Sequence, residues 1–106
     1  MADDPGLKRA REREAFEQSV VMLEAAERAG TGSQVARDAA AYLHRLWGFL
    51  IEDLGRPEND LPAELRAGLM SLGLWTMREL TRVDQAEPAN FMLLKHVSRS
   101  MAAGLA

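Results

Sequence analysis

Residues 33–55, SQVARDAAAYLHRLWGFLIEDLG, decide the fold of this chain. Apolar side chains recur along the stretch at steps of three and four residues, which is the spacing of one face of an α-helix. The residues concerned are Val35, Ala39, Leu43, Leu46, Leu50 and Leu54. Ser33 is suited to cap the start of this helix and Gly55 to end it, because glycine accepts the left-handed conformation that often follows a helix C-terminus. Tyr42, Trp47 and Ile51 widen the stripe, which predicts a helix that packs centrally or offers one side to a partner.

Glycine and proline divide the rest of the chain into three further segments with the same periodicity. We predict helices over residues 5–29, from residue 62 onward, and over residues 88–104. Their inward residues are Phe16, Val20, Leu23 and Ala26 in the first, Leu65, Leu69, Leu72 and Leu80 in the next, and Phe91, Leu94, Val97 and Met101 in the last. The sequence therefore predicts an all-α, single-domain bundle of about four helices over residues 1–106, with residues 1–5 and 105–106 frayed.

Several residues between these segments carry local start and stop signals. Asp3 and Asp4 are placed to cap the first helix, and Gly30 is placed to stop it. Inside the third helix, Gly68 and Gly73 each weaken local helicity by about 1 kcal/mol. We expect these glycines to permit close contact with a neighbouring helix.

The composition limits the classes of function that the chain can have. It is 47% hydrophobic, with a net charge of −3 and no cysteine. This chain is too apolar to be wholly disordered and too acidic overall to concentrate nucleic acid or anionic lipid. Disulfides and thiolate metal sites are excluded. Because the start lacks the apolar run of a secretory signal and no later run approaches membrane-spanning length, we expect a cytoplasmic protein with no membrane partner.

Side chains that could carry catalysis are not arranged for it. The two histidines, His44 and His96, lie in different predicted helices with no metal-binding spacing, so neither is assigned a role. Glu52 and Asp53 are adjacent, and neighbours in a helix point about 100° apart, so they cannot flank one bond as an acid and base pair does. We therefore expect no enzyme activity, no cofactor and no metal.

A series of short blocks in the second half of the chain resembles a known family. The blocks are Leu46-Trp47, Asp53-Leu54, Asn59-Asp-Leu-Pro-Ala-Glu-Leu-Arg-Ala67, Ser71-Leu72 and Gly104-Leu105. Their order and spacing resemble those of FlaF, a flagellar biosynthesis regulator of alphaproteobacteria. The resemblance covers about the last 60 residues well, and the earlier part in length and helical character.

The resemblance implies control of flagellin production and secretion. Flagellin would be the direct client, and FlbT a functional counterpart acting on flagellin messenger RNA. A small acidic helical protein can sequester an aggregation-prone helix by offering it an apolar groove. We therefore expect a non-enzymatic, chaperone-like adaptor that regulates flagellin synthesis and flagellum assembly.

The predicted partner-binding surface is centred on the connection between the second and third helices. Its residues are Trp47, Asp53, Asn59, Leu61, Pro62, Arg66 and Trp75. For most of them a structural role is an alternative: core packing for the tryptophans, a loop cap for Asn59, and a helix start for Leu61 and Pro62. Arg66 is different, because a cation near a helix N-terminus opposes the dipole and is expected to pair with a carboxylate here or on a partner.

Two other functions remain open at this point. One is direct RNA binding as a post-transcriptional regulator of flagellin mRNA, through basic residues in the first, third and fourth helices, although net acidity argues against it. These residues are Lys8, Arg9, Arg11, Arg13, Arg78, Arg82, Lys95 and Arg99. The other is a purely structural, oligomerising bundle.

Overall fold

A computed structural model of the chain describes residues 5–104. It contains α1 (Pro5–Ala29), α2 (Gln34–Leu54), α3 (Ala63–Asp84) and α4 (Phe91–Gly104), and no strand occurs within that range. The predicted all-α bundle of four helices is confirmed. The caps predicted at residues 3 and 4 lie outside the described residues. Of the residues predicted to be frayed, 1–5 and 105–106, only Pro5 is described, and it begins α1.

The helices pack in the order α4, α1, α2, α3. α1 contacts both α2 and α4, and α3 packs against α2. At the centre, the rings of Phe16 in α1 and Trp47 in α2 meet edge to face, with their centroids 5.9 Å apart. The largest fully buried apolar side chains are Trp47, Phe16, Leu23, Leu43, Leu80, Leu94 and Val83. α2 is thus one of the two helices, with α1, that pack against two neighbours, as its wide apolar stripe predicts.

Three residues were predicted to start or stop α1 and α2, and two of them do so as predicted. Ser33 caps α2, and its Oγ accepts a hydrogen bond from the backbone N–H of Ala36 at 3.1 Å. Gly30 follows α1 with a φ of +91°, a left-handed conformation that suits glycine. The left-handed conformation predicted for Gly55 is wrong, because its φ is −83°. Gly55 continues the helical conformation, and its N–H bonds to the carbonyls of residues 51 and 52.

Two residues predicted to point inward are exposed. Val35 is 43% exposed, because the buried face of α2 begins at Ala36 instead and runs on through Leu43 and Trp47. Leu65 is 49% exposed, because residues 63–72 of α3 include no buried residue and the tight packing of this helix begins at residue 73.

The two glycines of α3 differ in their surroundings. A Cβ atom at Gly73 would lie 2.9 Å from Cε3 of Trp47 and 3.0 Å from Cδ1 of Ile51, so this glycine permits the close approach of α3 to α2. No neighbouring atom would lie within 4 Å of a Cβ atom at Gly68, so the close helix contact predicted for this glycine is wrong.

Both proline-marked helix starts lie later than predicted. Pro62 occupies the N-cap position of α3 rather than its first turn. α4 begins at Phe91, three residues after Pro88. Asn90 caps α4, since its Oδ1 accepts a hydrogen bond from the N–H of Leu93 at 3.0 Å. An asparagine side chain can close a helix start in this way, whereas proline only restricts the backbone.

Candidate partner-binding site

The connection between α2 and α3 is held in place by the side chain of Asn59. Its Nδ2 donates to the backbone carbonyl of Asp53 at 3.3 Å and to the Asp53 carboxylate at 3.4 Å. Its Oδ1 accepts from the N–H of Leu61 at 3.1 Å. An amide side chain carries both a donor and an acceptor, so this one residue can bond both to the end of α2 and to the segment that precedes α3.

The Asp53 carboxylate also attracts two cations. Nζ of Lys8 in α1 lies 3.7 Å away, and an Arg56 nitrogen lies 3.9 Å away. The three side chains are 40–57% exposed, so water screens both pairs, and each contributes about 0–1 kcal/mol. These ion pairs therefore add little to the stability of the fold, and they fix the positions of charged groups at the edge of the site.

A cleft of about 290 Å³ opens beside this connection. It is lined by Lys8, Arg9 and Glu12 of α1, Trp47, Leu50, Asp53 and Leu54 of α2, Asn59 and Leu61 of the connection, Leu69 of α3, and Met101 of α4. Trp47 and Leu54 are buried and form its floor. Charged side chains surround an apolar interior, which is the usual arrangement of a pocket that binds an apolar group and fixes its orientation with a few polar contacts.

A second groove of about 750 Å³ adjoins the cleft between α1 and α2. The two share Lys8, Glu12, Leu50 and Asp53. At the second groove, Phe49 is 71% exposed, which is unusual for a large aromatic side chain. Apolar surface therefore continues from the cleft along the outer side of α2.

The first half of α3 leaves more apolar surface uncovered next to the cleft. Leu65 and Leu69 are four residues apart and so share a helix face, and Leu69 lines the cleft. Leu61, which precedes the helix, is 36% exposed and also lines the cleft. This row of leucines has the spacing with which one helix contacts another.

The structure brings Trp47, Asp53, Asn59 and Leu61 of the predicted site residues together in the lining of the cleft. Pro62, Arg66 and Trp75 do not line it.

Each of these last three residues has a distinct position. Pro62 starts α3, and Trp75 is partly buried against the core. Nε of Arg66 is buried without a hydrogen-bond partner, and no carboxylate within residues 5–104 forms an ion pair with this side chain. The expected pairing inside the chain is therefore absent from that range, and pairing with a partner's carboxylate stays a prediction.

α1 and α4 contribute residues to the site that their sequence pattern does not indicate. Lys8 and Arg9 are candidates for RNA binding by pattern, Met101 is a predicted core residue and Glu12 has no predicted role, yet all four line the cleft. A usable signal existed for α1, because a short connection makes α1 and α2 antiparallel neighbours. Phe16 lies 14 residues before Gly30, and its partner Trp47 lies 14 residues after Ser33. The same symmetry pairs residue 8 with residue 55, which is near Asp53, and the Asp53 carboxylate lies 3.7 Å from Nζ of Lys8.

Neither a cluster of metal-binding side chains nor a helix that could cross a membrane occurs among the described residues. Over residues 5–104, no three His, Asp or Glu side chains lie where they could hold one metal ion together. None of the helices in the same range has the length and apolar character needed to cross a membrane.

Comparison with known proteins gives one match. The model of a family described as "Flagellar protein FlaF" matches residues 1–105. No curated protein and no solved structure shows a significant match to the chain.

Proposed function

The chain belongs to the FlaF family of flagellar proteins and has a role in flagellar biosynthesis, and from this premise we propose that it binds flagellin as a chaperone-like adaptor. It acts in the cytoplasm, without enzymatic chemistry, on flagellin that has not yet assembled. The segment bound is an apolar helical end of flagellin, which finds its permanent packing partners only in the filament. FlbT is the functional counterpart on flagellin messenger RNA.

The observation that carries this proposal is the apolar cleft with the uncovered half of α3 beside it. Leu50, Leu54, Leu61 and Leu69 line the cleft, and Leu65 extends the apolar surface. A helix whose apolar face is left open at i and i+4 positions is suited to receive an amphipathic helix. The charged rim supplies groups that can fix the orientation of the client.

The arrangement of the basic residues supports a protein client over RNA. Several cations of the suggested RNA surface lie within ion-pair distance of carboxylates of this chain: Lys8, Arg82, Lys95 and Arg99. The tightest pair joins Nζ of Lys95 to Glu27 at 2.7 Å. Cations already engaged with carboxylates are less able to bind phosphates, so protein binding is the better supported of the two functions.

The proposal is tested by titrating the chain with unassembled flagellin and, separately, with flagellin leader RNA. We expect flagellin to bind with a Kd on the order of micromolar, since a client that is later released needs moderate affinity. Binding through an apolar cleft should persist as salt rises, whereas phosphate contacts weaken steeply through counterion release. RNA binding with a strong salt dependence and no flagellin signal would contradict the proposal.

A matched pair of variants locates the surface. Leu61→Glu places a carboxylate in the cleft lining, and we expect at least about tenfold weaker flagellin binding, a loss of about 1.4 kcal/mol or more. Val21→Glu is the control, because Val21 is 58% exposed on α1 and is not part of the cleft lining. Equal affinity of the two variants, both checked for folding, would show that flagellin binds elsewhere. Arg66→Glu tests the predicted pairing with a partner's carboxylate.

A further inference from the structure

Next to their core stripes, α1 and α2 each carry a second row of residues at alternating steps of four and three. This is the spacing at which one helix packs against another in a coiled coil. The row in α1 is Arg11, Ala15, Gln18, Met22, Ala25 and Ala29, and the row in α2 is Val35, Ala39, Tyr42, Leu46, Phe49 and Asp53. We call the two rows together the α1–α2 face. Its only charged members, Arg11 and Asp53, lie at the end of the bundle that contains the cleft.

The α1–α2 face is left open by the helices that pack on α1 and α2. It includes the groove of about 750 Å³, which Arg11 and Ala15 line from one side and Leu46, Phe49 and Asp53 line from the other. Within residues 5–104, α3 packs against α2 and α4 against α1, but no residue of α3 or α4 lines this groove. A continuous apolar surface of this kind marks a site of contact with another protein.

A second copy of the chain can cover this face with its own α1–α2 face. α1 and α2 are antiparallel, and the ring contact between Phe16 and Trp47 fixes which residues of the two rows lie at the same level. A two-fold axis parallel to the helices lays α1 of each copy over α2 of the other, without a shift along the axis. Row residues within about 1.5 Å of the same level then face each other. The facing pairs are Val35 with Ala29, Ala39 with Ala25, Tyr42 with Met22, Leu46 with Gln18, Phe49 with Ala15, and Asp53 with Arg11.

The exposed members of the α2 row face small side chains in this arrangement. Phe49, which is 71% exposed, meets Ala15 of the second copy. Val35, which is 43% exposed, meets Ala29. A large side chain opposite a small one allows two helices to interdigitate without a clash or a void. The second copy therefore covers the apolar side chains that the single chain leaves in water.

Charge distinguishes the two possible two-fold arrangements. With the axis parallel to the helices, Arg11 of each copy meets Asp53 of the other, and the two charges have opposite signs. With the axis perpendicular to the helices, Asp53 meets Val35 instead, and Arg11 meets an alanine. That second arrangement takes water away from the charges and gives them no new partner, which is unfavourable. Asp53 already attracts Lys8, so its contact with Arg11 selects the orientation more than it strengthens binding.

The α1–α2 face is large enough for a specific dimer of moderate stability. Residues 35–53 of α2 span about 27 Å at a rise of about 1.5 Å per residue, and two adjacent helices are together about 20 Å wide. The footprint is therefore about 540 Å² on each copy, or about 1,100 Å² in total. Specific interfaces bury at least about 1,000 Å², and those near this limit are weak.

We infer that the α1–α2 face binds a second copy of this chain about a two-fold axis parallel to the helices. α1 of each copy packs against α2 of the other, so the interface is an antiparallel arrangement of four helices. Rotation about this axis leaves each end of the bundle at its own level, and the two clefts of the dimer open at the same end. The dimer forms without a client, so the inference does not depend on the proposed function.

The first test measures the mass of the chain in solution by sedimentation equilibrium over a range of concentrations. We expect a dimer with a Kd on the order of ten micromolar. Phe49→Glu places a carboxylate in the face and should raise this Kd at least about tenfold. Met92→Glu is the matched control and should leave it unchanged, because Met92 is 76% exposed and belongs to α4. The circular dichroism of both variants checks their folding.

Three outcomes of this test would overturn the inference. The first is a chain that stays monomeric at millimolar concentration. The second is equal weakening of the dimer by both variants, which would place the interface elsewhere. The third is a Phe49→Glu chain that remains dimeric but no longer binds unassembled flagellin, which would show that the face binds the client instead of a second copy.

The second test determines the direction of the two-fold axis by cross-linking. The chain has no cysteine, so disulfides between single-cysteine variants form only between copies. Val35→Cys, carrying a tag that changes its size, is mixed with Ala29→Cys and, as the matched control, with Asp53→Cys. We expect the mixed disulfide with Ala29→Cys to form at least about tenfold faster, since an intervening distance of several helical turns separates residue 35 from residue 53 of the other copy. Equal rates, or a faster reaction with Asp53→Cys, would overturn the parallel axis.

Discussion

Replacing Gly73 by alanine should destabilise the protein, although alanine is the better helix former. The new Cβ would lie 2.9 Å from Cε3 of Trp47 and 3.0–3.1 Å from two side-chain carbons of Ile51. The end of the isoleucine side chain can move, but the indole is held by Phe16 on another side. The substitution therefore forces α2 and α3 apart or tilts the ring of Trp47.

The magnitude follows from two opposing terms. Overpacking of this kind costs about 1–3 kcal/mol, and replacing glycine inside a helix recovers about 1 kcal/mol. We expect Gly73→Ala to lose about 1 kcal/mol of unfolding free energy, taking the middle of those ranges. Gly68→Ala is the matched control in the same helix, because nothing lies within 4 Å of its new Cβ. That variant should gain up to about 1 kcal/mol.

Urea unfolding and thermal melting of the two variants measure this difference. At about 4 °C per kcal/mol for a domain of this size, their midpoints should differ by roughly 8 °C, with unchanged denaturant slopes. If Gly73→Ala is stabilised as much as Gly68→Ala, then α3 does not approach Trp47 as closely as described. If both variants lose stability equally, the cause lies in the backbone of α3 and not in its contact with α2.

Three further stability predictions follow from the core and the caps. Leu43→Ala should lower the free energy of unfolding, measured in urea, by about 2–5 kcal/mol, because Leu43 is fully buried. Leu46→Ala should lower it by less than about 2 kcal/mol, because Leu46 is only partly buried. Equal losses for the two variants would contradict this difference in burial. Ser33→Ala should lower the unfolding free energy by about 1 kcal/mol through loss of the α2 cap, and no change would show that Ala36 N–H is satisfied otherwise. Ser19 and Ser98 share a buried hydrogen bond of 2.9 Å between α1 and α4, so Ser19→Ala should cost about 1–3 kcal/mol and the double alanine variant should recover much of it; additive losses in the double-mutant cycle would contradict the pairing.

The four helices could be predicted because apolar periodicity and glycine stops are local signals. Their exact faces and starts could not, because these depend on neighbours. Val35 continues the predicted stripe of α2 but is 43% exposed, because the buried face of the helix begins at Ala36. α4 begins where the Asn90 side chain closes the first turn, not at Pro88. Gly55 continues the helical conformation instead of reversing it.

The candidate site was predictable only along the chain segment that carries the family-like blocks. Asn59 and Leu61 could be identified there because a loop followed by a proline-started helix is visible in the sequence. Arg9 and Met101 come from the two ends of the described chain, and only the packing of α1 and α4 brings them to the same cleft. Trp47 shows why core and site residues could not be separated by pattern: it is fully buried and also forms the floor of the cleft.

Flagellin binding at the cleft end of the bundle is the central feature of the proposed function. The amide spectrum of the ¹⁵N-labelled chain, recorded as unassembled flagellin is added, tests this claim residue by residue. We predict perturbed signals over residues 50–69 and around Arg9 and Met101, and unchanged signals at the opposite end, over residues 30–33 and at Ala86. Perturbation confined to the opposite end, or an unchanged spectrum at saturating flagellin, would contradict flagellin binding at the cleft.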